Sequence, residues 1–437
     1  MNIRLKVGAL LGIAALTFVA FAQAKDPAEL LKSIENYRTQ KLTEARQSGK
    51  QIDYNALTAE VTAKALEAIK DVDPSKVEAS KSYAWAQLFS MAGKHKETCD
   101  LCTKYLTTNP SAEDKFAAQI LMMDSCNERG EGEMLMMTLP GVVPPSVAAS
   151  RQLLQVVAYQ YSDTIKKTQG VDAALKAIDI AEKQLKVEAP EAYADKMFAQ
   201  SKARNPKNQD GTPMTDEQIR AMLINQGKQT SEMYVYTAAS TRIELLTSAN
   251  RKDDAMKLID KFLADYPNST YARSIKADKT RMTLVGSVPP ALQFDRNHGE
   301  FKSVEAWKGK VVLIDFTAHW CGPCQASVPD MITMYNDLHG KGLEIVAVTR
   351  YYGYLGNQKD LKPEAEFEAM AKFIADKNEP WPMIFGDQGN FTNFGVTGIP
   401  TWAAIGRDGK IAFLHVGYSK ESFAEFRKKV EVLINSK

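Results

Sequence analysis

The chain has 437 residues, a length that predicts two or three domains. Of these residues 44% are hydrophobic and 25% are charged, which is the composition of a soluble globular protein. Its formal net charge at pH 7 is +2, and removal of the two basic residues within 1–24 brings it to zero. A neutral chain without a block of basic residues gives no reason to expect nucleic acid as a partner.

The first 24 residues have the pattern of a secretory signal peptide. Arg4 and Lys6 precede an apolar run at 7–21, and Ala-Gln-Ala at 22–24 is a small-residue cleavage site. Residue 25 is Lys, so no cysteine is available there for lipid modification. We expect export to a bacterial periplasm or to the outside of the cell, with an uncleaved membrane anchor as the alternative.

Residues 25–285 are rich in Ala, Lys, Glu, Gln and Leu at helical spacing, which predicts an all-α region. Two stretches, 83–110 and 242–267, share a pattern of helix, tight turn, second helix and proline stop, and 157–185 matches it less well. These stretches resemble tetratricopeptide-type helical hairpins. Because stacked hairpins form extended surfaces, we expect a protein partner to bind this region. Prolines at 140–145 predict a subdivision there.

Residues 286–437 alternate β-branched runs with helical ones, which is the pattern of an α/β domain. The predicted strands are 311–316, 343–349, 383–385, 402–405 and 411–416, and the predicted helices are 325–338 and 422–437. Between the last two strands, Asp408-Gly409 predicts a hairpin turn because glycine adopts positive φ without strain.

The sequence Trp-Cys-Gly-Pro-Cys at 320–324 follows the first predicted strand and opens a helix. Unpaired backbone N–H groups and the helix dipole favour an anion there, so a thiolate at this point has a lowered pKa. Cys321, nearer the solvent, is predicted to attack a disulfide, and Cys324 to resolve the mixed disulfide. A permanent disulfide or half of a zinc site is the alternative, although no second cysteine pair lies in this domain. We predict no metal and no other cofactor.

Asp315 lies six residues before Cys321, in a strand whose other residues are apolar. Burial raises the pKa of a carboxyl group, so we predict that Asp315 exchanges a proton with Cys324 near neutral pH. The alternative is an acid at a strand end that reaches water.

Four further residues are considered as contacts of a substrate or of the sulfurs. A proline that opens a strand, as Pro400 does, is often structural, whereas a cis bond would leave the polar groups of Ile399 free to pair with an extended substrate. Trp320 either covers the sulfurs or serves as a packing aromatic residue. His319 either tunes the thiols or stands exposed.

A second Cys-x-x-Cys pair lies in the helical region, at Cys99 and Cys102. We favour buried packing for both, with a local disulfide and a second redox centre as the alternatives. Cys126 makes the number of cysteines in this region odd, so at least one of the three is free or paired outside it.

The run Ile-Asp-Phe-Thr-Ala-His-Trp-Cys-Gly-Pro-Cys at 314–324, with Gly-Ile-Pro-Thr at 398–401, resembles thioredoxin. The lead-in at 307–312, the long insert at 351–382 and Arg-Asp-Gly-Lys at 407–410 are similar to the TlpA-like secreted thioredoxin-family reductases.

The resemblance implies a central sheet flanked by helices, with Cys321 as nucleophile, Cys324 as resolving thiol and a cis Pro400 beside them. Asp315 and the Gly-Pro between the cysteines follow thioredoxin itself, which suggests a reducing potential. We therefore expect a thiol–disulfide oxidoreductase that reduces disulfides in client proteins. The family likeness also suggests an upstream thiol electron donor, such as a membrane redox relay.

Two other functions are considered. The chain could be an adaptor or scaffold that binds partners through its helical region. It could also be a thiol peroxidase of the peroxiredoxin class, but that chemistry needs Thr or Ser three residues before the reactive cysteine, and this position is Ala318.

Overall fold

The computed structural model describes residues 26–48 and 52–436. Contacts divide the chain into two compact units, Met1–Leu245 and Leu246–Lys437. The predicted signal peptide, 1–24, lies outside the described residues. Within 26–48 and 52–436, none of the helices combines the length and the apolar character needed to cross a membrane.

The first unit consists of helices joined by loops, as the sequence predicts. They are α1 Pro27–Ser48, α2 Tyr54–Ile69, α3 Ser82–Met91, α4 His95–Leu106, α5 Ala112–Glu128, α6 Gly132–Thr138, α7 Val147–Val156, α8 Ser162–Gln169, α9 Val171–Lys183, α10 Pro190–Ala203 and α11 Asp216–Ser248. The boundary between the two units falls in the last turn of α11.

The second unit adds six helices and a six-stranded sheet. The helices are α12 Lys252–Asp265, α13 Ala272–Leu284, α14 Gly322–Leu338, α15 Pro363–Lys377, α16 Gln388–Asn393 and α17 Lys420–Asn435. The strands are β1 Arg296–His298, β2 Val311–Phe316, β3 Leu343–Arg350, β4 Met383–Gly386, β5 Thr401–Ile405 and β6 Ile411–Val416.

Two of the predicted helical hairpins are present as packed helix pairs, α3 with α4 and α8 with α9. Helices α3 and α4 are joined through Gly93, and α8 and α9 through Gly170, with φ values of 69° and 88° that glycine adopts without strain. Asn250, with φ of 58°, joins α11 to α12. Their assignment as tetratricopeptide repeats stays a prediction.

One core of the first unit extends across 140–145, where the sequence predicts a subdivision. It includes Phe116 before this segment and Leu153 after it. Leu139 and Val142 belong to the same core and are fully buried. The prolines lie between α6 and α7, beside a core to which both sides contribute, and a subdivision of the region there stays a prediction.

The sheet has the order β1-β4-β3-β2-β5-β6. Strands β2, β3 and β4 are parallel to one another, whereas β5, β6 and β1 run antiparallel to their neighbours. Methionines of α14 and α15 and Phe426 of α17 cover one face, and Phe391 of α16 packs on the other. The predicted fold class, an all-α region followed by an α/β thioredoxin-fold domain, is confirmed.

All five predicted strands are present, but the sequence did not reveal β1. This strand has only three residues, Arg-Asn-His, and all of them are half-buried, so neither hydrophobicity nor alternation marks it. It pairs with β4 at the edge of the sheet. The predicted hairpin between β5 and β6 is also present, with Gly409 at φ of 77°.

The segment around 285/286, where the composition changes, packs against the sheet. Arg281 of α13 donates a hydrogen bond to the carbonyl oxygen of Gly395. The N–H of Gly286 donates a hydrogen bond to the carbonyl oxygen of Ile411 at 2.8 Å. In return, the N–H of Ile411 donates to the carbonyl oxygen of Ser287 at 2.9 Å. The change in composition therefore lies inside the second unit, and a separate domain over 286–437 stays a prediction.

Candidate active site

Cys321 and Cys324 form a disulfide at the beginning of α14, with their Cα atoms 5.2 Å apart. Cys321 is the N-cap residue of this helix, and the backbone N–H of Cys324 donates to its sulfur at 3.1 Å. This N–H and the positive end of the helix dipole both face the Cys321 sulfur. The same arrangement would stabilise a thiolate on Cys321 after reduction of the disulfide.

Exposure does not distinguish the two cysteines. Cys321 is 4% exposed and Cys324 is 3% exposed, so the expectation that Cys321 lies nearer the solvent is not met in this oxidised form. Ile399 and Ala318 pack against both cysteines and limit their contact with water. The feature that separates them is the N–H group directed at Cys321.

The peptide bond between Ile399 and Pro400 is cis, as the resemblance implied. The carbonyl oxygen of Ile399 lies 3.6 Å from the sulfur of Cys321. Pro400 itself immediately precedes β5, and its carbonyl oxygen accepts a hydrogen bond from the N–H of Gly417 at 2.8 Å. The loop before β5 thus brings the carbonyl oxygen of Ile399 next to the disulfide.

Aromatic side chains lie beside the dithiol motif, and Tyr352 packs against the two cysteines. Trp320 is 48% exposed and makes an edge contact with Tyr352, with ring centroids 5.4 Å apart. His319 is only 6% exposed, and its ring contacts those of Tyr352 and Tyr354 at 5.5 and 4.9 Å. The expectation of an exposed His319 is therefore wrong, because tyrosines from the loop after β3 cover it. Burial lowers the pKa of His319.

Asp315 is buried inside the domain rather than reaching water, so the alternative of a solvated acid at a strand end is wrong. It is 9% exposed, and the indole N–H of Trp402 donates to its carboxylate at 2.8 Å. The pKa of Asp315 is raised to about 7, first by burial and then by the negative charge of Glu379, while the hydrogen bond from Trp402 acts in the opposite direction. A carboxyl group with this pKa is part-ionised near neutral pH.

The sequence analysis missed Glu379, which lies on the segment between α15 and β4. Asp315 pairs across the sheet with Ala347, and Ala347 pairs with Met383, the first residue of β4. Residues just before β4 therefore reach the row of the sheet that holds Asp315. The only signal in the sequence was an acid next to Pro-Trp-Pro, which reads as an ordinary loop.

A small cavity lies beside the resolving cysteine. Its volume is about 10 Å³, and its lining includes Cys324, Glu379 and His319. The Nε2 atom of His319 is buried and makes no hydrogen bond. Glu379 is half-buried, and burial raises the pKa of its carboxyl group to about 7. Two carboxyl groups that titrate near neutral pH thus accompany the dithiol.

The other three cysteines carry free thiols and lie in the first unit. Cys102 is fully buried, as predicted for a packing residue, and the alternative local disulfide between Cys99 and Cys102 is not formed. Cys99 is half-buried. Across the described ranges, no group of three or more His, Cys, Asp or Glu side chains is arranged to hold a metal ion.

Comparisons with known proteins agree with this geometry. Residues 284–432 match the family model Redoxin. The thiol:disulfide interchange protein HelX of Rhodobacter capsulatus is 28% identical over 155 residues, which is 35% of this chain and 77% of HelX. The thiol-disulfide oxidoreductase ResA of Bacillus subtilis is 27% identical over 138 residues, 31% of this chain and 70% of ResA.

Among solved structures, the thioredoxin domain of a thiol-disulfide oxidoreductase from Bacteroides vulgatus is 22% identical. The match covers 35% of this chain and 98% of that domain, with a TM-score of 0.28. The predicted resemblance of the C-terminal region to TlpA-like proteins of the thioredoxin family is confirmed by the Redoxin match and the named relatives. The predicted enzyme class, a thiol–disulfide oxidoreductase, is confirmed with it.

Proposed function

We propose that this chain is an exported thiol–disulfide oxidoreductase that reduces disulfide bonds in client proteins through Cys321 and Cys324. The observation that carries the proposal is the disulfide at the beginning of α14, which lies 3.6 Å from the carbonyl oxygen of Ile399. The exposed Trp320 and the main chain at Ile399 and Pro400 are proposed to contact the client. Location in the periplasm or outside the cell rests on the sequence pattern of 1–24.

In the proposed cycle, the reduced Cys321 attacks one sulfur of the client disulfide as a thiolate. A bond forms between Cys321 and that sulfur, and the other client sulfur leaves as a thiolate that takes up a proton. Cys324 then loses its proton and attacks Cys321, which releases the second client thiol and restores the Cys321–Cys324 disulfide. The client gains two electrons, and the enzyme site loses two.

Asp315 and Glu379 are proposed to handle the proton of Cys324. Both carboxyl groups titrate near pH 7. A general base with a pKa near the working pH is ionised in a large fraction of molecules and still binds a proton well. The cavity connects Cys324 to Glu379, and Glu379 is itself partly exposed, so this route leads from the sulfur towards solvent. Glu379 acts as a positioning residue through its charge on Asp315.

Each turnover leaves the site oxidised, so the cycle requires an electron donor. A dithiol protein is the donor class that matches the chemistry, because it returns two electrons by the same exchange steps. A membrane thiol relay is the donor that the family likeness suggests. The first unit is proposed to bind a protein partner, a role supported by its helix pairs.

The reduction potential tests the proposed direction of electron flow. We expect a value near that of thioredoxin, about −270 mV, for the Cys321–Cys324 couple. It is measured by equilibrating the full chain in dithiothreitol redox buffers and following alkylation of the Cys321–Cys324 peptide by mass spectrometry. A value near about −120 mV would instead identify an oxidant of client thiols.

Replacement of Glu379 by Gln is expected to move the acid limb of the pH–rate profile to lower pH. The Glu379 charge raises the pKa of Asp315, so its removal lets Asp315 ionise, and accept the Cys324 proton, at lower pH. The profile is measured for insulin reduction between pH 5 and 9. Glu425→Gln, at an exposed residue of α17, is the matched control and should leave the profile unchanged. An unshifted limb in Glu379→Gln contradicts this role.

A further inference from the structure

Two cysteines of the first unit bring their sulfur atoms together across neighbouring helices. Cys99 on α4 and Cys126 on α5 lie 27 residues apart in sequence, and their sulfurs are 3.9 Å apart. Helices α4 and α5 pack against each other. The Cys99 thiol also lies 3.7 Å from the carbonyl oxygen of Met122, one turn before Cys126. The pair is thus an interhelical contact and not a feature of the Cys-x-x-Cys motif.

The partner suggested by the motif, Cys102, faces a different core. Cys102 is buried with Leu101 and Phe89 in one hydrophobic cluster. Cys99 packs against the neighbouring cluster, which contains Cys126. Side chains three positions apart on a helix point about 60° away from each other around the helix axis. Here this difference in direction places Cys99 and Cys102 in separate hydrophobic clusters.

The environments of Cys99 and Cys126 differ in the way that a nucleophilic and a resolving thiol differ. Cys99 is half-buried, and its pKa is lowered by the hydrogen bond from Cys126 and by the positive charge of Arg129. Arg129 also forms an ion pair with Glu131 at 2.5 Å, which holds the guanidinium close to α5. Cys126 is 3% exposed, and its pKa is raised by the same hydrogen bond and by burial. Burial raises the pKa of Cys102 to about 12.

We propose that Cys99 and Cys126 are a second redox pair, which forms a disulfide between α4 and α5 by exchange with a small-molecule disulfide such as glutathione disulfide. To form the bond, the two sulfurs must approach from 3.9 Å to about 2.05 Å. This inference does not depend on the proposed function of Cys321 and Cys324.

The exchange balances without any other reagent. The Cys99 thiolate attacks one sulfur of glutathione disulfide, and the released glutathione thiolate takes up the proton that Cys99 lost. Cys126 then gives up its proton and attacks the Cys99 sulfur, and the second glutathione leaves as a thiol. Two protein thiols are oxidised to one disulfide, and one glutathione disulfide is reduced to two glutathione molecules.

Peptide mapping of the full chain tests the pairing. The reduced protein is incubated with glutathione disulfide, alkylated in acid and digested without reductant. We expect a Cys99–Cys126 linked peptide and an alkylated Cys102, and we expect the same linkage in the matched control Cys102→Ala. In Cys126→Ala, Cys99 should accumulate as its mixed disulfide with glutathione. Alkylated Cys99 and Cys126 in wild type after Cys321–Cys324 has become oxidised, or a Cys99–Cys102 linkage, would overturn the proposal.

Thermal unfolding supplies a second measurement that does not require a variant at the pair itself. The double variant Cys321→Ser, Cys324→Ser lacks the disulfide at the beginning of α14, so any change on oxidation arises from the three cysteines of the first unit. A cross-link that closes a loop of this size should raise the melting temperature of the first unit by about 5 °C or more after oxidation. Equal melting temperatures for the oxidised and reduced forms would contradict a cross-link between α4 and α5.

Discussion

Replacement of Cys321 by Ser is expected to reduce the rate of insulin reduction to that of the uncatalysed reaction, a loss of at least about 1,000-fold. A serine hydroxyl at the beginning of α14 receives the same N–H group and dipole, but it stays protonated near neutral pH and does not attack a disulfide. The measurement is turbidimetric insulin reduction with dithiothreitol as the electron donor.

The reaction of the Cys324→Ser variant should stop at a different step, after the client has been attacked. Cys321 keeps its thiolate and attacks, but the mixed disulfide is not resolved, so the client stays covalently attached to Cys321. Non-reducing electrophoresis and mass spectrometry detect this adduct. Cys102→Ala, which removes a buried thiol of the first unit, is the control and should keep the wild-type rate.

Two outcomes would contradict the proposed function. An adaptor or scaffold would show no insulin reduction even in wild type, and neither cysteine variant would change its behaviour. A peroxidase would consume hydrogen peroxide faster than it reduces insulin, even though Ala318 occupies the position that needs Thr or Ser. We expect wild type to reduce insulin and to show no such preference for peroxide.

Replacement of Asp315 by Asn is expected to stabilise the oxidised protein at pH 8 by on the order of 4 kcal/mol. The pKa of Asp315 is about 7 in the folded protein, above its ordinary value of 3.8. Between those values the folded state holds a proton that the unfolded state releases, so stability falls as pH rises from about 4 to 7. Above pH 7 the full cost of a buried carboxylate is present, and Asn removes it.

The stabilisation should disappear below pH 4, where Asp315 is protonated in both states. Denaturant unfolding followed by tryptophan fluorescence measures it, because four of the five tryptophans lie in the second unit. Asn retains an oxygen that can accept the hydrogen bond from Trp402. Asp408→Asn, in the exposed hairpin turn, is the control and should show no pH-dependent gain. An Asp315→Asn gain of equal size at pH 4 and pH 8 would contradict this account.

The same variant should reduce turnover while it increases stability. Loss of a general base commonly lowers a rate by about 100-fold or more, and the deficit should be greatest where Asp315 is ionised in wild type. In wild type the rate of insulin reduction should rise with pH around pH 7, and in Asp315→Asn this rise should be absent. A wild-type rate in this variant would show that water alone takes the proton of Cys324.

Much of the second unit was predictable because its signals are local. Five strands were predicted because their apolar, β-branched runs are each bounded by turn residues. The dithiol and Asp315 stand at a short spacing in one motif, and the position of Pro400 beside the disulfide followed from the family resemblance. The helical hairpins were predicted from helical spacing and from Gly93, Gly170 and Asn250 at the turns.

Only the tertiary structure decided the pairings that join distant parts of the chain. Glu379 reaches Asp315 because β4 begins at the sheet row that Asp315 occupies, and no local pattern encodes that register. Cys99 meets Cys126 because α4 and α5 pack together, whereas the Cys-x-x-Cys spacing suggested only Cys102 as an alternative partner. Helical and strand periodicity depend on adjacent residues and are visible in the sequence. The distances between side chains on different elements depend on how whole elements pack, so they became known only from the fold.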